Sequence, residues 1–156
     1  MKVLVTGNSG SGNSTLGKKL SQRLNLPYYG LDKIVWQKNW VPTPRDERLR
    51  LIKEITDTDA WLIEGVSKLA LKEADKVYFL DLPLYRCLIN IVKRFIKNGL
   101  GTREGLPLNC PEYIGVIKAI KIAFLYEKVT KPWLLEELSS GKVIRIKRHE
   151  DLKELQ

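Results

Sequence analysis

Residues 7–15 read GNSGSGNST, and the sequence changes period across this stretch. Before it, KVLVT at 2–6 is a short, β-branched run that predicts a buried strand. After it, Leu16, Leu20 and Leu24 recur every four residues and predict a helix with one buried face, ending near Asn25 and Pro27. Gly7, Gly12 and Ser14 stand at the spacing G-x-x-x-x-G-K-[ST] of a phosphate-binding loop, but Asn13 occupies the lysine position. A strand, a glycine loop and a helix in that order separate such a loop from a chance cluster of glycines.

Most of a phosphate cradle is backbone. Gly7 permits the sharp turn off the strand, Gly10 and Gly12 leave room for N–H groups to approach an anion, and the helix start adds its positive dipole end. The expected nucleotide-binding set is Gly7, Asn8, Ser9, Gly10, Ser11, Gly12, Asn13, Ser14 and Thr15, with the Ser14 hydroxyl placed to hold Mg²⁺. Lysine at position 13 would follow charge as it develops on a transferred phosphoryl group, and the shorter, neutral asparagine does not. Losing one well-placed group of this kind costs on the order of 3 kcal/mol, about 10²- to 10³-fold in rate. Phosphate binding is therefore expected to persist and phosphoryl transfer to be impaired.

The 156 residues suit one domain, and 44% hydrophobic with 29% charged residues is a globular balance. Mostly apolar stretches such as 88–92 and 120–125, each broken by one polar residue, are far short of the ~20 residues of a membrane span. The residues before the glycine loop form no apolar leader, so a cytoplasmic location is expected. Cys87 and Cys110 have no C-x-x-C spacing and His149 is the single histidine, which favours buried thiols over a disulfide or metal site. Twenty-seven Lys and Arg against 18 Asp and Glu give +9, a charge that attracts polyanions. It is concentrated at 86–103, with five basic residues and no acid, and at 142–148 (KVIRIKR).

Farther along, LPYYGLD predicts a strand ending at Asp32, followed by a Trp- and Pro-rich loop over 34–44 and a polar helix over about 45–57. AWLIEG is a strand ending at Glu64, residues 66–74 are a short helix or turn, and KVYFLDLP is a strand closed by Asp81. A helix over 85–97, a lid-like loop over 98–112, a long helix to about 138 and a final strand GKVIRIK complete the pattern, with EDLKEL as a closing helix. Alternating strands and helices imply an α/β fold with a largely parallel, five-stranded sheet.

GNSGSG-x-STL, LPYYGLDKIVW, WLIEG, DLP-x-x-RC, NCPEY and KVIRIK occur in an order that resembles a family of bacterial phosphate-loop proteins. These are the DNA topology modulation or adenylate-kinase-like proteins, within the nucleoside monophosphate and shikimate kinase superfamily. The likeness spans nearly the whole chain. It implies a three-layer P-loop NTPase fold with strand order 2-3-1-4-5, a substrate region after the second strand and an arginine-bearing lid. ATP and Mg²⁺ are the implied cofactors, and Asn13 departs from the family's lysine. By resemblance, Arg94 matches a lid-base arginine that contacts ATP phosphates, with Asn90 where another arginine often stands, and Arg103 falls where the lid would contact phosphate. An acid at Asp32 would hold or deprotonate an acceptor hydroxyl, and Glu64 would hold a Mg²⁺-bound water or substrate. Asp81 resembles a structural Asp-x-Pro turn, and Arg148 with His149 follows the last strand, where such folds wrap the adenine. Trp36 and Trp40 suit either an aromatic substrate pocket or packing of their loop onto the core.

Three functions fit these features. The first is an ATP-dependent kinase of a small molecule or nucleotide, weakened by Asn13. The second is a nucleotide-binding protein without catalysis. The third is a nucleic-acid-binding regulator, which the +9 charge suggests but no helix-turn-helix, zinc-finger or RNA-binding signature supports.

Overall fold

A computed structural model describes residues 1–99, 101–102, 105–137 and 141–147. The run KVLVTG forms strand β1 (Lys2–Gly7), whose alternate side chains face opposite sides of the sheet and are buried on both. It pairs in parallel with β5 (Trp61–Glu64) on one side and β6 (Lys76–Leu80) on the other. Beyond these lie β2 (Tyr28–Gly30), paired with β5, and β7 (Val143–Ile146), paired with β6. The sheet thus runs β2-β5-β1-β6-β7, all parallel, with β1 at its centre.

Period-2 alternation divides the core. Val3, Val5, Leu62, Tyr78 and Leu80 meet Leu16 and Leu20 of helix α1 (Asn13–Leu24) on one face. Leu4, Trp61, Ile63, Val77 and Phe79 pack on the other face. There they meet Ile52 of α3 (Arg45–Thr56), Ala70 and Leu71 of α4 (Lys68–Glu73), and Leu134 of α7 (Lys131–Glu136). Helices α5 (Leu84–Asn98) and α6 (Glu112–Leu125) share a third cluster around Ile91, Ala119 and Ala123. The long helix expected before position 138 is not uniform. A π-helical turn, Tyr126–Thr130, separates α6 from α7, and Pro132 sits in the first turn of α7.

Two local readings change. Asp32 does not end a strand: β2 stops at Gly30, and Asp32 opens a one-turn helix, α2 (Asp32–Val35). The segment expected to be a loop over 34–44 contains a short antiparallel hairpin, β3 (Trp36–Gln37) and β4 (Val41–Pro42). The hairpin tip carries Asn39 at φ 63° and Trp40 at φ 58°, a left-handed backbone that a bulky side chain rarely adopts. Such a conformation costs of order 1–3 kcal/mol and persists only where its surroundings enforce it. Here the buried Trp40 donates its indole N–H to the Pro111 carbonyl at 3.1 Å and its backbone N–H to Cys110 Sγ at 3.4 Å. Its ring lies so close over Gly115 that a Cβ there would come within 2.6 Å of Trp40 Cζ2. The NCPEY segment is therefore the seat of Trp40, which both packs its loop onto the core and, with Trp36, lines a cavity at the carboxyl ends of the strands. The closing helix expected at EDLKEL lies outside the described residues.

Gly115→Ala is expected to force Trp40 out of its seat. Overpacking of this kind costs about 1–3 kcal/mol, to be read from urea denaturation together with a red shift of the native tryptophan emission.

Candidate functional site

In a parallel sheet ligands gather beyond the carboxyl ends of the strands, and here those ends border a cavity of about 600 Å³. Its floor is the turn from β1 into α1. Gly7, Ser9, Gly10 and residues 12–15 line it, while Asp32, Glu64 and Arg94 reach it from α2, β5 and α5. Ten residues expected from the sequence to act together thus share one space. Asn8 and Ser11 are buried and do not line it. Arg103, Arg148 and His149 lie outside the described residues.

The loop is held from behind by side-chain amides. Asn13 Nδ2 donates to the carbonyls of Gly7 at 2.9 Å and Asn8 at 3.4 Å, while its Oδ1 accepts from the Ser11 hydroxyl at 3.0 Å. Asn90 Nδ2 of α5 donates to the Gly10 carbonyl at 2.9 Å. Asn8 Nδ2 donates to the Ala123 carbonyl and to Glu127 Oε1, tying the loop to the end of α6. Gly10, at φ 81°, lies against α5, where a Cβ would come within 2.4 Å of the Cys87 carbonyl oxygen. Its glycine is thus required by helix packing as well as by loop conformation. Asn13 is consequently more than a shortened lysine, because its amide is committed to the loop's own backbone.

Arg94 has a partner the sequence did not reveal. Its Nε donates to Glu112 Oε1 at 2.7 Å, and Glu112 is fully buried at the start of α6. The CPE segment therefore supplies both the seat for Trp40 and the anchor for Arg94. Lys118 also lines the cavity, with its Nζ 4.6 Å from the centroid of the Trp36 ring. Trp36 in turn meets Trp40 edge-on, with centroids 5.3 Å apart at 77°. Lys118 was missed because α6 as a whole is apolar, and one lysine among several carries no distinguishing pattern.

A second cavity, about 370 Å³, adjoins the first, and Ser14, Asp32 and Glu64 line both. Tyr28 stands at this boundary and donates its phenol to Glu64 Oε2 at 3.2 Å. Burial, with the negative charge of Glu64 second, pushes the Tyr28 phenol well above its ordinary value, so it remains protonated. Hydroxyl and carboxylate oxygens are hard donors that suit Mg²⁺, which takes one or two carboxylates plus phosphate oxygens. Ser14, Asp32 and Glu64 fit that pattern. Among the described residues no group of three or more His, Cys, Asp or Glu forms a dedicated metal cluster.

Asp81 plays a structural part. It bonds Lys131 at 2.8 Å and Arg145 Nε at 2.8 Å, and Lys131 also reaches Glu127, the partner of Asn8. Burial alone would raise the Asp81 carboxyl, but hydrogen bonds and charge from Lys131 and Arg145 outweigh it and hold it below the usual value. For Lys131, burial pulls down, yet Asp81 and Glu127 win and raise it. Cys87 is buried, and its thiol is pushed up to about 11 chiefly by that burial, which makes it a poor nucleophile. Cys110 is likewise a free, buried thiol. Among the described residues no helix is long and apolar enough to cross a membrane.

The Asp81 pair has a defined pH window. A depressed carboxylate contributes fully above its unfolded value near 4 and loses that contribution as pH falls through its lowered value. The raised Lys131 contributes fully below its unfolded value of 10.5 and loses it above. Asp81→Asn is therefore expected to cost about 2 kcal/mol at pH 7, less than a fully enclosed pair because Lys131 and Arg145 keep some solvent contact. The difference from the parent should shrink as pH falls below 4 in urea titrations.

A scan against protein-family models finds no match for this chain, and a search of curated proteins finds none.

Proposed function

We propose that this chain is a phosphate-loop, kinase-like protein that binds ATP with Mg²⁺ in the larger cavity. In its lysine-bearing form it transfers phosphate to a small-molecule or nucleotide acceptor. The observation that carries the reading is the convergence of the 7–15 loop, Asp32, Glu64 and Arg94 on one cavity. Its volume falls within the ~300–1,000 Å³ usual for small-molecule sites. Counted along the parallel sheet alone, the strands run second, third, first, fourth, fifth, the order implied by the adenylate-kinase-like resemblance, and this supports the same reading.

Each residue has a part. The N–H groups of Gly10, Gly12, Asn13 and Ser14 at the start of α1 bind phosphate oxygens, while that of Ser11 closes the loop on the Asn8 carbonyl, and Ser14 with Glu64 holds the cation. Mg²⁺-nucleotide supplies the transferable phosphoryl group with its charge partly neutralised. Arg94, steadied by Glu112, orients that charge. Asp32, at the boundary between the cavities, takes the proton of the acceptor hydroxyl as that oxygen forms its bond to phosphorus and the bond to the leaving nucleotide diphosphate breaks.

One observation favours a second reading, nucleotide binding without turnover. Asn13 spends its amide on the Gly7 and Asn8 carbonyls, so position 13 presents no charge to a moving phosphoryl group.

Calorimetry with ADP and ATP in Mg²⁺ should detect binding to the chain as given, and absence of heat with both nucleotides would exclude both readings. Asn13→Lys should raise ATP consumption about 10²- to 10³-fold with an accepted acceptor. Asp32→Asn in that background should lower kcat far more than it changes KM. If Asn13→Lys binds ATP but consumes none across nucleoside monophosphates and small polyols, only the reading without turnover survives.

A further inference from the structure

We infer that Lys118 is the phosphate-recognising cation of the larger cavity and stands in for the charge that position 13 lacks. The inference rests on the reading of that cavity as a nucleotide phosphate site. Among the described residues that line it, the basic ones are Arg94 and Lys118 and the acidic ones are Asp32 and Glu64. The guanidinium of Arg94 is committed through Nε to the buried Glu112, so much of its charge is already balanced. Without Lys118 the charged side chains on these walls would be one cation against two carboxylates, and a polyanionic ligand would depend on the backbone cradle and Mg²⁺ alone.

Lys118 is built into that wall. Gly115, Lys118, Ala119, Ile122 and Tyr126 all line the cavity, and their spacing of three and four residues places them on the inner face of α6 and its π-helical continuation. No salt bridge joins Lys118 to a carboxylate among the described residues; its ammonium rests over the Trp36 ring. A cation–π contact is worth roughly 0.5–1 kcal/mol where solvent reaches it. A charge-assisted bond to phosphate is stronger, and the four-carbon stem of lysine is flexible enough to make the exchange. The ring thus holds the ammonium inside the site without a competing anion, and an incoming phosphate draws it off. Departure of the ammonium uncovers one face of Trp36, so ligand binding and indole emission are coupled.

Six proteins test this: the chain as given, Lys118→Met, Asn13→Lys, the double variant, Lys118→Arg and Trp36→Phe, each titrated with inorganic pyrophosphate and with ADP in Mg²⁺. Lys118→Met should weaken binding of both probes about tenfold or more in the chain as given, and about threefold or less once lysine is present at 13. Lys118→Arg should restore affinity to within about threefold, which separates loss of charge from loss of folding. Tryptophan emission should change on binding to the parent and not to its Trp36→Phe variant. Parent binding that survives Lys118→Met, equal losses in both backgrounds, or binding by Asn13→Lys alone each overturns the inference while leaving a nucleotide site. Failure of both the parent and Asn13→Lys to bind either probe removes the nucleotide reading and the inference with it.

Discussion

The carbonyls of a glycine-rich turn need donors, and in this protein two asparagine amides supply them while a third ties the loop to its neighbouring helix. Asn13 serves the carbonyls of Gly7 and Asn8, Asn90 serves that of Gly10, and Asn8 reaches past the loop to α6. A buried, unmatched backbone group costs as much as a lost hydrogen bond, so these contacts set where the helices lie as well as how the loop folds. Through Asn90, α5 is drawn against Gly10; through Asn8, the end of α6 is fixed over the sheet. The Asn8–Glu127–Lys131–Asp81–Arg145 chain then carries the same constraint to the last strand.

This changes the meaning of the asparagine at 13. As a replacement for lysine it is a loss of charge, yet in place it is part of the loop's internal framework. Binding and transfer are separable for a physical reason. The backbone cradle needs only its own geometry, whereas stabilising a transferred phosphoryl group needs charge that moves with it. If Lys118 provides charge from α6, the site has moved its cation from the loop to the opposite wall. Recognition of an anion then survives without the geometry that a loop lysine gives to transfer.

The elements that depend on local pattern were legible in the sequence. The β-branched run at 2–6 and leucines at 16, 20 and 24 encode the strand and helix that frame the loop, and both are found. Gly7, Asp32, Glu64 and Arg94 share one cavity because each lies at or just after the end of a strand or on the helix that follows it. What escaped the sequence depends on contacts distant along the chain. Trp40 and Gly115 are 75 residues apart and specify each other only when the hairpin meets α6. Glu112 reads as an ordinary first-turn acid until its burial beside Arg94 is seen. Lys118 is one lysine in an apolar helix until the cavity gives that face a purpose.

The reading proposed for the loop requires the backbone at Gly10 and residues 12–14 to receive phosphate without a lysine at 13. It is tested most directly by titrating the ¹⁵N-labelled chain with Mg-ADP and following the backbone amide resonances. Saturable shifts centred on Gly10, Gly12, Asn13 and Ser14, extending to Lys118 on α6, are expected. Shifts confined to the exposed basic surface of α5, or none at these amides at saturating nucleotide, would contradict it.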